Sequence, residues 1–166
     1  MINACPYCGA KNRQGILFCE DCGKGLYDKT DELTIPGRNG SSSLSQEMID
    51  AREGYVPLGD DQALVMYIRN AKAPITIDTT HAVTIGRKGR GVAPDLDLTP
   101  YGALEKGVSR VHAVIQVVDN IPVITDVGST NGLYLNGNQI PTETSQILCD
   151  GDELHLGELV VHIYFE

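Results

Sequence analysis

Residues 126–137 read DVGSTNGLYLNG, two short strand fragments joined by a tight polar turn. Ser129, Thr130 and Asn131 stand between Gly128 and Gly132. The glycines permit positive φ, so the chain turns sharply while short hydroxyl and amide side chains project from a rigid rim. Such a rim either closes a hairpin or holds a ligand, and the surrounding sequence has to decide which.

Outward from this turn, from Asp61 to the last residue, the chain is a succession of short β-branched runs. They are ALVMYIRN, PITID, AVTIG, RVHAVIQVVD, IPVITDV, LYLNG, ILCDGDELHLG and ELVVHIYFE, with Gly, Pro, Asn or Asp between most of them. Nothing long and helical interrupts them. This texture predicts an all-β sandwich over residues 62–166, and the absence of crossover helices excludes a parallel α/β fold. Asn136-Gly137 and Asp150-Gly151 are dipeptides of the kind that close hairpins.

Three polar clusters fall where loops are expected: Gly86-Arg87 after VTI, Ser109-Arg110-Val111-His112 before AVIQVV, and Ser129-Thr130-Asn131-Gly132. Arginine, hydroxyl and amide groups on neighbouring loops make a donor-rich site suited to a dianionic oxygen cluster, which arginine grips through its rigid fork. Phosphate is the natural candidate.

The motifs IGR, PDLDL, VSRVHA, DVGSTNGLYLNG and DGDELHLG, in this order, resemble the forkhead-associated (FHA) domain family over Ala63 to Glu166. The resemblance implies a phosphothreonine-binding β-sandwich of about eleven strands. It implies further that Arg87 and Ser109 bind phosphate, that Arg110 assists with phosphate or peptide backbone, and that Asn131 holds the peptide main chain with Thr130 lining the pocket. His112 is similar to the family's structural histidine, and Gly86 and Gly132 keep the turns open. Val111 stands where some members carry another polar residue, so fewer peptide-flank contacts are expected. The 21 residues between Arg87 and Ser109 read as one long loop, in which Lys88, Arg90 and Lys106 either attract the ligand at long range or face water. By resemblance, phosphothreonine is preferred over phosphoserine, and the residue three positions beyond it helps set specificity.

At the other end of the chain, CPYCGAKNRQGILFCEDCG holds Cys5, Cys8, Cys19 and Cys22, each pair followed by glycine. Two facing C-x-x-C-G knuckles predict a closed four-thiolate structural zinc site, with no open position for catalysis. Residues 1–27 cannot bury an adequate core alone, so the metal would supply most of their folding energy. The stretch resembles the short zinc-ribbon modules of bacterial proteins; disulfides, and iron in a rubredoxin-like site serving electron transfer, are the competing readings.

Residues 28–61 carry IPGRNGSSSLS and read as a flexible linker. Leu44, Met48 and Ala51 recur at helical spacing, with Ser43 and Gln46 able to form a capping box, so a short helix is allowed there. Thr30, among acidic residues with Leu33 three positions on, is a candidate phosphorylation site; Thr34 is a weaker one.

The formal charge of -9 argues against general attraction to nucleic acid or an anionic membrane. Five of the 13 Lys and Arg fall between Arg87 and Arg110, and none from Val111 to Glu166. With no signal sequence and no apolar run near about 18 residues, the chain reads as soluble and cytoplasmic. No catalytic set emerges: His81, His155 and His162 lack a paired nucleophile, and Cys149 reads as a buried structural thiol. The expected function is therefore a non-enzymatic signalling adaptor downstream of Ser/Thr kinases, reading phosphothreonine on a partner or on its own phosphorylated linker. The alternative is a zinc-ribbon nucleic-acid-binding or transcription-associated regulator carrying the same module.

Overall fold

The structure is a computed structural model and describes residues 3–5, 9–12, 19, 46–50 and 52–166. Cys8, Cys22, Thr30, Leu44 and Ala51, on which several expectations rest, lie outside the described residues. The first elements are a pair of two-residue antiparallel strands, β1 (Asn3–Ala4) and β2 (Lys11–Asn12), followed by a short helix, α1 (Gln46–Asp50).

The remaining described strands are β3 (Leu64–Ile68), β4 (Ile75–Ile77), β5 (Val83–Gly86), β6 (Leu96–Asp97), β7 (Ala113–Val118), β8 (Ile121–Asp126), β9 (Leu133–Leu135), β10 (Asn138–Ile140), β11 (Ser145–Ile147), β12 (Glu153–Leu156) and β13 (Leu159–Phe165). They form a six-stranded sheet in the order β10-β9-β12-β13-β3-β4 and a five-stranded sheet in the order β11-β8-β7-β5-β6. The fold is thus all-β, as expected. The two sheets bury a shared core that includes Leu64, Met66, Leu154, Val161 and Ile163 from one and Ile85, Ala113, Ile115 and Ile124 from the other. In β13 the residues alternate strictly between buried and less buried, the period-two signature of a strand with one face on the core.

β8 breaks that alternation, since all six of its residues are buried. Its outward-facing Ile121 and Val123, with Ile147 of β11, form a second apolar cluster capped by Met48 and Ile49 of α1, Tyr55 and Cys149. Leu58 N–H donates to Asn120 O at 2.8 Å, and the Arg52 guanidinium pairs with the buried carboxylate of Asp152. Within the stretch 28–61 expected as a linker, Met48, Ile49, Tyr55 and Leu58 pack on the sandwich. Cys149 is only half-buried, at the edge of this cluster rather than deep within the core.

Two further readings change. Asn136 and Gly137, at φ 49° and 83°, close the β9–β10 hairpin. Asp150-Gly151 closes none, because β11 belongs to one sheet and β12 to the other, and the dipeptide carries the chain between them. The stretch from Arg87 to Ser109 is also not a single loop. It contains a bridge between Gly89 and Val92, strand β6, and a 3-10 turn at Thr99–Tyr101, and β6 runs parallel to β5 without a helical crossover.

Candidate phosphopeptide-binding site

The loop after β5, the loop before β7 and the loop after β8 meet at one end of the sandwich, because β5, β7 and β8 are neighbours in one sheet. Their backbones are locked together by direct contacts. A Cβ on Gly86 would stand 2.1 Å from Arg110 O, so only glycine permits this approach of the first two loops. Arg87 N–H donates to Ser109 O at 3.3 Å, and Arg87 Nε donates to Val108 O at 2.7 Å. The side chain is thereby tethered at its root. Its Nη2 makes no hydrogen bond to any described residue and remains a donor.

Ser109 links the second and third loops. Its Oγ accepts from Thr130 N–H at 3.1 Å, which leaves its own proton without an acceptor among the described residues. The Thr130 hydroxyl is likewise uncommitted among them and exposed. Arg110 lies alongside: its Cδ is 2.6 Å from where a Cβ on Gly89 would stand, and Arg87 Nη1 is 3.5 Å from the same point. Two arginine side chains and two hydroxyl donors thus crowd one rim, which favours an anion there.

His112 is fully buried beneath this rim. Ser109 N–H, which can only donate, points at Nδ1 at 3.1 Å, and Gly132 O, which can only accept, lies 3.0 Å from Nε2. These partners assign the neutral tautomer with the proton on Nε2. Burial lowers the pKa below the usual histidine value; the bond to Gly132 O and the charge of Asp126 act the other way without overcoming it. With both ring nitrogens committed to the backbone, His112 is not placed to act as a base for the Ser109 hydroxyl.

Asn131 is exposed, and its Nδ2 donates to Gly107 O at 2.9 Å. Gly132 follows at φ 85°, a conformation that favours glycine.

Three supporting residues were not singled out from the sequence. Asp126 is buried, and its Oδ1 accepts from Gly128 N–H and Ser129 N–H, both at 2.8 Å, while Ser129 Oγ donates to its Oδ2 at 2.6 Å. An aspartate followed by Gly at the second position and Ser at the third was the available signal for this turn. Gly107, at φ 73°, accommodates Asn131, since a Cβ there would lie 2.3 Å from Nδ2. Gly157 lets the β12–β13 turn approach the same loop, with Glu158 N–H donating to Lys106 O at 2.8 Å. No local pattern marks Gly107, and the DGDELHLG motif that ends at Gly157 does not signal this contact. Lys88 forms an ion pair with Asp97 at 3.3 Å.

In the N-terminal segment Cys5 and Cys19 are both buried. Gly9, at φ 74°, donates its N–H to Cys5 O at 2.9 Å, and Cys5 N–H donates to Ala10 O at 2.8 Å.

A two-sheet sandwich that presents a donor-lined rim on three interlocked loops is a β-domain whose rim is suited to holding an anion. Within it, the FHA domain model matches residues 83–157. The glycogen accumulation regulator GarA of Mycobacterium tuberculosis is 30% identical over 131 residues, 79% of this chain and 70% of GarA. Protein FraH of Nostoc sp. is 37% identical over 76 residues, 46% of this chain and 26% of FraH, so the match spans about a quarter of that relative. The N-terminal FHA domain of S. cerevisiae Rad53p, solved in complex with a phosphothreonine peptide, shares the fold at a TM-score of 0.53 and 21% identity, over 63% of this chain and 94% of that one. The chain belongs to the FHA domain family.

Proposed function

We propose that this protein is a phosphothreonine-peptide-binding adaptor in Ser/Thr kinase signalling and acts by binding rather than catalysis. The observation that carries this reading is the convergence of Arg87, Ser109, Arg110 and Thr130 on one rim, where Arg87, Ser109 and Thr130 keep donors without an acceptor among the described residues and Asn131 is seated beside them. Phosphorylation gives threonine about -1.5 to -2 charges and three acceptor oxygens. Each charge-assisted hydrogen bond to it contributes about 1.5–3 kcal/mol, so the unmodified peptide should bind far more weakly. The phosphothreonine peptide bound to Rad53p is consistent with this assignment. A phosphothreonine peptide array against wild type and Arg87→Ala tests it: spots should be lost in the variant, and equal binding by both would sink the phosphate-site assignment.

The finer parts rest on sequence. Phosphorylated Thr30 would fold back into the protein's own site. A random-coil chain of the roughly 16 residues from Thr30 to Gln46 has a root-mean-square span of about 20 Å, the scale of a small domain, and self-binding at millimolar effective concentration would compete with partners. Unchanged affinity for an external phosphopeptide after phosphorylation of Thr30 would refute this. Cys5, Cys8, Cys19 and Cys22 would hold a structural Zn²⁺, a reading supported by burial of Cys5 and Cys19 and by the Gly9 N–H bond to Cys5 O. Metal analysis should then find one zinc per chain, and its absence, or iron in its place, would reject the assignment.

A further inference from the structure

A pocket of about 320 Å³ opens on the outer face of the six-stranded sheet, lined by Tyr67, His162, Tyr164 and Glu166. None of these residues belongs to the phosphate-facing loops. Tyr67 of β3 pairs with His162 of β13, and Tyr164 pairs with Val65. Their neighbours Met66 and Ile163 are fully buried in the core, so alternation sets this aromatic row outward.

The two tyrosine rings stand 5.3 Å apart at 88°, and the residues are 37% and 38% exposed. The Tyr67 hydroxyl donates to Glu166 Oε1 at 2.5 Å, a bond that raises the tyrosine pKa and keeps the phenol neutral. Glu153 adds a second carboxylate, with Oε2 3.2 Å from His162 Nε2 and Oε1 2.7 Å from His155 Nε2. No Lys or Arg occurs from Val111 to Glu166, so β7 to β13 bring no lysine or arginine to these acids; the lysine or arginine nearest in sequence to the lining residues is Arg69, two residues beyond Tyr67.

Perpendicular aromatic rings beside carboxylates attract an organic cation through the ring faces and through charge. Among natural cations a guanidinium suits the site best, being planar and weakly hydrated, stacking on aromatic rings and bonding a carboxylate through its fork. We propose that this pocket receives an arginine side chain from a basic segment of a partner protein, a second contact independent of the phosphate site.

The test is an amide-resolved NMR titration of the full chain with a blocked Gly-Arg-Gly peptide at millimolar concentration, with the lysine and the neutral citrulline peptides alongside. Saturable shifts at Tyr67, His162 and Tyr164 are expected for arginine and not for citrulline. Tyr164→Ala and Glu166→Gln should each weaken binding by about threefold to tenfold, while Arg87→Ala should leave it unchanged. The proposal is overturned if the arginine peptide gives no saturable shift at these residues, if citrulline or lysine binds as well, if neither pocket variant weakens binding, or if Arg87→Ala abolishes it.

Discussion

His112 shows how much of the site hangs on one proton. Its Nδ1 must stay a bare acceptor for Ser109 N–H while Nε2–H serves Gly132 O, and protonation of Nδ1 would set two donors face to face. Because burial lowers the folded-state pKa, the unfolded chain takes up this proton first as pH falls. The stability held by neutral His112 is therefore complete above the unfolded value near 6.5 and is lost as pH drops below it toward the folded pKa, by up to about 1.4 kcal/mol per pH unit. Urea unfolding at stepped pH should show this slope in wild type and a shallower one in His112→Gln; identical slopes would mean that the ring is not held neutral. Peptide affinity alone would not separate this effect, because the phosphate itself regains a proton near pH 6. The roles expected of Arg87, Ser109 and Asn131 could be framed from sequence because each lies in a compact, ordered motif. Gly107 could not, because its need for glycine comes from Asn131, 24 residues away along the chain.

At the scale of elements, most strands were legible because their apolar residues alternate or run in β-branched blocks, yet β6 and β10 were not. β6 is two residues long and β10 reads Asn-Gln-Ile, so neither carries enough pattern to stand out; both are held by partners, β5 and β9. Asp150-Gly151 misled because a turn dipeptide fixes local backbone shape without saying which strands it joins. The β12–β13 turn has a role sequence did not suggest, since Gly157 presses on the loop that seats Asn131. A Cβ there would lie 2.6 Å from Lys106 O, at φ 61°. Gly157→Ala should therefore cost about 1–3 kcal/mol of stability from strain at a special backbone position, and should also loosen phosphopeptide binding. Combined urea unfolding and calorimetric titration would check it, and a variant with wild-type affinity would detach this turn from the site.

For the whole molecule, the boundary of the folded unit matters most, because it sets how near the N-terminal segment is tied to the sandwich. Composition placed residues 28–61 in a linker, and the Gly, Pro and Ser content that drove this reading lies mainly before Gln46. Met48, Ile49 and Tyr55 cover Ile121 and Val123 of β8 and Ile147 of β11, which would otherwise face water. Arg52 adds a polar clasp, pairing with Asp152, whose carboxylate also accepts from Asn136 Nδ2 and Cys149 N–H, both at 2.7 Å. A chain beginning at Gln62 would expose that cluster and strip Asp152 of its cation. Half-burial of three apolar side chains corresponds to about 3 kcal/mol, so this chain should unfold at distinctly lower urea than one beginning at Ser43, and it should bind a hydrophobic dye more strongly. Equal midpoints would mean that residues 46–58 contribute nothing to the fold. A large difference would fix the domain's start before α1 and shorten the tether on which any fold-back of Thr30 depends.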